Sequence, residues 1–207
     1  MRLQEQWRRR IRRERDFDAV ETVAGVDISV RGSTAVAAVC VLSWPDLEPV
    51  ETATAVEPVR FPYVPGLLGF REVPSILTAF EKLETLPDLL VVDGHGLAHP
   101  RRFGVACHLG LELDLPSIGC GKSRLVGEHR EPGRRRGART RLLHEGEVLG
   151  AVLRTRDDVS PVFVSIGHRI DLESAVAYVK ASTRGFRLPE PIRVAHRTAG
   201  SVTPAPG

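Results

Sequence analysis

The sequence predicts a single α/β domain built on a mixed β-sheet with helices packed against it. Three observations carry that prediction. Two apolar runs near the N-terminus, 20–30 and 35–44, flank the turn Arg31-Gly32-Ser33, which is the pattern of a hairpin. Beyond residue 70, helix-period segments alternate with short, continuously apolar runs, as in strands buried on both faces. No internal repeat and no linker divides the 207 residues, a length that suits one domain, 1–207.

The elements follow in order. Residues 1–18 read as a charged amphipathic helix, with Leu3, Trp7 and Ile11 at helical spacing. Residues 20–30 and 35–44 are the hairpin strands, 45–49 closes them between two prolines, and 52–59 is a third strand. The segment 61–69 holds two Pro and two Gly and is irregular. A helix over 70–85 turns Val73, Ile76, Leu77, Phe80 and Leu83 inward and stops at Pro87. Residues 89–92 form a buried strand ending in Asp93-Gly94. A helix over 102–113 and a short strand over 117–120 come next, then a mobile, Gly/Arg-rich basic loop over 127–138. Strands over 148–154 and 162–165 precede a helix over 171–182 with Leu172, Ala175, Val176 and Val179 inside. The tail, 198–207, is expected to fray.

Composition narrows the function classes. Hydrophobic residues make up 42% and charged residues 27%, ordinary values for a globular protein. The longest apolar run, 35–42, is far short of the roughly 20 residues a membrane helix needs. Arg8, Arg9 and Arg10 precede no apolar stretch, and Glu5 and Glu14 interrupt the basic N-terminus, so neither a secretory nor a mitochondrial leader is expected. The expected location is the cytoplasm, with no membrane partner. Cys40, Cys107 and Cys120 are too scattered for a disulfide framework or a CxxC metal site and read as buried apolar residues. The net charge of +3 is unevenly spread: residues 1–15 carry +5 and residues 121–141 carry +6, which leaves −8 elsewhere. Two basic patches on an acidic body fit a polyanionic partner. The plainer reading is an Arg-rich solvated face, which three Lys against 26 Arg would also give.

Chemistry concentrates at strand ends. Asp27 interrupts the otherwise apolar Val23-Ala24-Gly25-Val26-Asp27-Ile28, and Asp93 ends the second buried strand. An ionised carboxylate there is costly unless it is paired or metal-bound. If the two strands are neighbours, the carboxylates meet and make an oxygen-rich site suited to Mg²⁺. Glu72, beside the Pro/Gly segment, is a natural third acid, although a helix start favours an acid in any case. His95 and His99 have the i, i+4 spacing of a zinc helix, but Gly94, Gly96 and Pro100 argue against a helix. His168 follows a strand and a glycine, which suits a general base or a loop histidine bonded to backbone. Gly121-Lys122-Ser123 resembles the end of a phosphate loop, yet the position that needs glycine is Pro116. Lys122 could bind a phosphate or stabilise developing negative charge. Pro62-Tyr63-Val64-Pro65-Gly66 is a stiff apolar loop with an aromatic suited to stacking on bases or inserting between them.

Taken together, these segments resemble the endonuclease V family of deoxyinosine-directed repair nucleases, in order from about Gln4 to Ala199. The segments are VAGVDISV, PYVPGLLGFRE, VVDGHGLAHPRRFGVACHLGLELDLPSIGCGKSRL, GEVLGAVLRT, PVFVSIGHRIDLESAV and RLPEPIRVAH. The resemblance implies a ribonuclease H-like fold and Mg²⁺-dependent hydrolysis, with Mn²⁺ as a substitute, of the second phosphodiester bond 3′ to a deoxyinosine. The products are a 3′-hydroxyl and a 5′-phosphate. By motif, Asp27, Asp93 and Glu72 match the metal-binding acids, Lys122 the active-site lysine and His168 the catalytic-site histidine. In that scheme Glu72 and His168 orient or deprotonate the attacking water. Tyr63 matches the wedge residue, set between Pro62 and Pro65, while Gly66, Gly94 and Gly96 fall in loops lining the lesion pocket. The chain departs from the family with Cys120-Gly121 where Val-Ala is usual, and with Asp171 where Ser is common. The expected partner is DNA containing deoxyinosine, and the expected state is a monomer. Two alternatives stay open: action on inosine RNA, and a catalytically silent nucleic-acid-binding protein.

Overall fold

The computed structural model describes residues 2–203. Its centre is an eight-stranded mixed sheet of order β3-β2-β1-β4-β5-β8-β7-β6. The strands are β1 (Thr22–Arg31), β2 (Thr34–Ser43), β3 (Pro49–Pro58), β4 (Leu89–Val92), β5 (Ser117–Gly121), β6 (Arg139–His144), β7 (Glu147–Leu153) and β8 (Val162–His168). β1 runs parallel to β4, and β4 to β5; the flanking pairs are antiparallel. The helices are α1 (Arg2–Trp7), α2 (Leu68–Phe80), α3 (Val105–Leu113), α4 (Leu172–Ala181) and α5 (Glu190–Ser201). Among the described residues, no helix is long and apolar enough to cross a membrane.

Strand periodicity divides the core into two layers. Leu90 and Val92 of β4 join Ala24 and Val26 of β1 under α2 and α3, where Val73, Ile76, Phe80 and Leu109 pack on them. Leu89 and Val91 face the other way, with Val23, Ile118 and Val164, and meet Val176 and Val179 of α4 and Ile192 of α5. Gly25 sets how closely α5 approaches: a Cβ there would lie 1.9 Å from the Pro191 carbonyl oxygen. Any side chain at residue 25 would push α5 off the sheet.

Several expected elements change in detail. The N-terminal helix ends at Trp7, a 3₁₀ turn covers Arg8–Arg10, and the chain then extends. Arg12 is committed elsewhere: its N–H donates to the His168 ring at 3.2 Å, and its carbonyl accepts from the Arg169 N–H at 2.8 Å. α2 begins at Leu68, inside the segment read as irregular, and ends at Phe80. α3 starts three residues later than expected because Arg102 has φ +55 and Gly104 is extended. The 127–138 segment is irregular, as expected, but it is anchored rather than mobile. Arg154 donates to Glu131 Oε1 (2.7 Å) and the Pro132 carbonyl (3.0 Å), Arg134 pairs with Asp158 (2.6 Å), and the Gly137 N–H donates to the Arg154 carbonyl (2.7 Å). Both basic patches are therefore partly neutralised within the chain, since Arg12, Arg13, Arg134 and Arg139 all hold ion pairs. The expected frayed tail is helical through Ser201, and Ile192, Ala195 and Ala199 of α5 are buried. The remainder of that expectation, residues 204–207, lies outside the described residues.

Candidate active site

The parallel pairing of β1 with β4 brings the two strand acids together. Val26 lies opposite Val92, so the next residues, Asp27 and Asp93, stand side by side. The Asp93 N–H donates to the Val26 carbonyl at 3.4 Å. β4 stops at Val92 while β1 continues to Arg31, which opens the sheet beside both carboxylates. α2 crosses above and adds Glu72, and all three acids line one cavity of about 210 Å³. Burial raises the Asp27 carboxyl above the usual carboxylate range, against the opposing effect of a hydrogen bond from His196. Glu72 is pushed up to about 8, first by burial and then by the negative charges of Asp27 and Asp93. Mutual repulsion of this kind is what a bound cation relieves. Among the described residues, no three His, Cys, Asp or Glu side chains close into a ready-made metal cage. An open oxygen set fits Mg²⁺ better than a closed one, because that ion is commonly held by one or two carboxylates plus waters and substrate phosphate.

Two basic side chains border the acids. β5 is the parallel neighbour of β4, and Lys122, just past its end, places Nζ 2.5 Å from Asp93 Oδ2. The Lys122 carbonyl accepts a hydrogen bond from Arg187, whose guanidinium also donates to the Ser160 and Pro161 carbonyls. That tie holds the turn that follows Gly121. The missing side chain has a neighbour of its own: a Cβ at Gly121 would sit 2.4 Å from His95 Cε1. The second is His196 of α5, whose Nδ1 lies 2.8 Å from Asp27 Oδ2. Sequence reading missed it as a site residue. The only signal was its place as the last letter of RLPEPIRVAH.

His168 is not with the acids. It pairs with Ser117 at the start of β5, whereas Lys122 follows the end of that strand. Four residues of strand separate those ends, roughly 13 Å at about 3.3 Å per residue. The His168 Nδ1 accepts the Arg12 N–H, and Nε2 lies 3.3 Å from Asp114 Oδ1. Asp114 also pairs with Arg12 and Arg169. The expected catalytic histidine is thus a buried backbone partner at the far end of the sheet. Asp171 also falls outside the site: it caps α4, accepting from Ser174 N–H (2.8 Å) and Ser174 Oγ–H (2.7 Å).

A second cavity, of about 260 Å³, adjoins the acid cavity through Leu68 and Val105. Tyr63, Gly66 and Gly94 line it. Tyr63 is 67% exposed at its mouth, and Pro62 and Pro65 flank it, also exposed. Gly96 does not line the cavity. It is buried, its N–H bonded to Ser165 Oγ at 2.9 Å, and a Cβ there would lie 2.0 Å from the Ile166 carbonyl oxygen. His95 and His99 do line it, although they were weighed only as zinc ligands. Burial lowers both imidazoles, His99 to about 4, so they face the cavity neutral.

The family model for endonuclease V matches residues 5–197 of this chain. The chain belongs to the endonuclease V family. Endonuclease V of Roseiflexus castenholzii is 54% identical over 183 residues, which are 88% of this chain and 82% of that protein. The crystal structure of endonuclease V from Streptomyces avermitilis superposes with a TM-score of 0.92 at 42% identity, covering 96% of this chain and 89% of that one. Endonuclease V of Ciona intestinalis, solved in complex with a 24-mer DNA containing an inosine followed by a ribo-adenosine, gives 0.86 at 30% identity, covering 96% and 94%. The fold is the ribonuclease H-like fold of endonuclease V, and the protein is an endodeoxyribonuclease by family.

Proposed function

We propose that this chain nicks DNA at the second phosphodiester bond 3′ to a deoxyinosine, using Mg²⁺ held by Asp27, Asp93 and Glu72. The observation that carries this reading is the adjacency of the two cavities. One is lined by neutral imidazoles and glycine backbone beneath an exposed Tyr63, and the other by three carboxylates. An extruded base fits the first while the backbone that follows it passes the second. Extrusion exposes the Watson–Crick edge that stacking hides, and the DNA complex of the Ciona relative holds an inosine-containing strand.

Each residue then has a physical task. Asp27, Asp93 and Glu72 would hold a divalent ion, which would supply Lewis-acid stabilisation of the charge that builds on the scissile phosphate. Lys122, drawn to Asp93, adds a fixed positive charge beside that phosphate. His196 donates from Nδ1 to Asp27, which leaves Nε2 as the acceptor; its exposed ring orients the attacking water and takes its proton there. Tyr63 fills the gap left by the extruded base. Ser123 and Arg124 complete the pocket rim.

The test is a labelled duplex with one deoxyinosine, incubated with Mg²⁺, with EDTA, and beside an inosine-free control. A single Mg²⁺-dependent nick at the second 3′ bond supports the proposal. A nick elsewhere, or one that survives EDTA, overturns it. A second reading, cleavage of inosine-containing RNA, draws on the ribo-adenosine that follows inosine in the Ciona complex. Faster cleavage of a matched RNA strand would favour it.

A further inference from the structure

We infer that Gln4 and Arg101 are positioning residues for lesion discrimination: they clamp the Gly66 carbonyl and so hold Tyr63 at the mouth of the base pocket. This inference rests on the wedge reading of Tyr63 given above.

Gln4 lies on the short helix α1, yet it is only 3% exposed. Its amide is fully employed. Nε2 donates to the Gly66 carbonyl (3.0 Å) and to the Phe103 carbonyl (3.2 Å), and Oε1 accepts from Arg101 Nε (2.5 Å). Arg101 Nη2 donates to the same Gly66 oxygen at 2.5 Å. Both lone pairs of one carbonyl are thus held by side chains 62 and 35 residues away in sequence.

That carbonyl is well placed to control the loop. Gly66 has φ +76, and a Cβ there would lie 2.5 Å from Arg101 Nη2, so both the backbone turn and the approach of Arg101 require glycine. The Leu67 N–H donates to the Val64 carbonyl at 2.9 Å, which ties the clamped residue to the turn carrying Tyr63. α1 is itself fixed, because Trp7 stacks on Phe70 at 5.8 Å and packs on His108 at 5.2 Å. An aromatic that pushes into a base stack needs a loop that does not recoil. Neither Gln4 nor Arg101 lines the carboxylate cavity, so the clamp acts on discrimination rather than on hydrolysis.

The test uses the full chain carrying Gln4→Ala, Gln4→Glu or Arg101→Lys, beside Tyr63→Ala and the double variant Gln4→Ala/Tyr63→Ala. Two quantities are read: the affinity ratio for a deoxyinosine duplex over the same duplex with adenine, in EDTA, and the single-turnover nicking rate at saturating protein with Mg²⁺. In each single clamp variant the ratio is expected to fall about tenfold, the worth of one charge-assisted hydrogen bond. The saturated rate is expected to stay within about twofold. Gln4→Glu should not rescue, since it keeps a partner for Arg101 but loses the donor to Gly66. Hydrogen exchange over 62–69 should quicken while β1 and β4 keep their protection. The double variant should discriminate no worse than Tyr63→Ala alone, because the clamp works only through Tyr63. If Tyr63→Ala destroys the ratio while Gln4→Ala and Arg101→Lys preserve it, the clamp is wrong. A saturated rate that falls in step with the ratio also overturns it. If Tyr63→Ala itself preserves the ratio, the wedge reading fails instead. Arg101→Lys retains charge and bulk and keeps the test open should Gln4→Ala not fold.

Discussion

The sheet carries a histidine–aspartate pair at each end, and the two are built in opposite senses. In the pair beside the acid cavity, the His196 side chain is 65% exposed and Asp27 13%. In the other, His168 is 2% exposed and Asp114 67%. A buried carboxylate facing an exposed imidazole keeps a poorly solvated negative charge that must be balanced, and leaves a ring nitrogen free for solvent or substrate. A buried imidazole facing an exposed carboxylate does neither: its nitrogens are used up holding Arg12 and Asp114. The shifts agree, with Asp27 raised by burial and Asp114 lowered by its bonds to His168 and Arg12. Which partner is buried, more than the identity of the pair, separates a pair that keeps a ring nitrogen open to solvent from a fastening.

The largest effect that tests this contrast is loss of the buried carboxylate. Asp27→Ala is expected to lower nicking by at least about a hundredfold while inosine-duplex binding persists in gel shift. A normal Mg²⁺-dependent rate would dissolve the reactive half of the comparison. Next come the imidazoles. His196→Ala should cut the single-turnover rate about a hundredfold with little change in the urea midpoint. His168→Gln should do the reverse, leaving the rate within about twofold and lowering stability by about 1–3 kcal/mol. Swapped outcomes would invert the assignment.

A smaller effect lies in the pH dependence of stability. Burial depresses the His168 imidazolium below its ordinary value of 6.5. Below pH 6.5 the unfolded chain then binds more protons than the folded one, so stability falls as the pH drops through that range. The acid limb of the melting temperature should be shallower in His168→Gln than in the parent, read by calorimetry in steps from pH 7 to 5. Equal slopes would mean that the pair does not fasten the N-terminal segment. The smallest effect is at Asp171. Its loss to alanine removes a helix cap worth about 1 kcal/mol and should leave the nicking rate unchanged.

The same contrast explains what could be read in advance. Asp27 and Asp93 stood out because each is the lone acid in an apolar run, and a period of two makes that conspicuous. Their adjacency needed the parallel β1–β4 pairing, which no local pattern encodes. His168 was misplaced for the same reason. A histidine after a strand is visible in sequence, but the end of the sheet it reaches depends on β8 running antiparallel to β5. His196 was overlooked because α5 carries its helical period on Pro191, Ile192, Ala195 and Ala199, mostly small or unusual helix formers among charges, rather than on large apolar residues. β6 was missed because an edge strand with one buried side, carrying Arg139, Arg141 and His144, lacks an apolar run. The wedge loop was legible from Pro62, Tyr63, Pro65 and Gly66, but its clamp was not, because Gln4 and Arg101 are ordinary polar residues until the fold brings them to one oxygen.

Gly25, which admits the backbone of α5 to the sheet, also sets an order of assembly. Asp27, Glu72, Asp93 and Lys122 all precede His196 in the chain, and His196 arrives only with the helix that settles over Gly25. A growing polypeptide therefore carries its acids and Lys122 first, and the Asp27–His196 pair closes only once α5 has docked over Gly25.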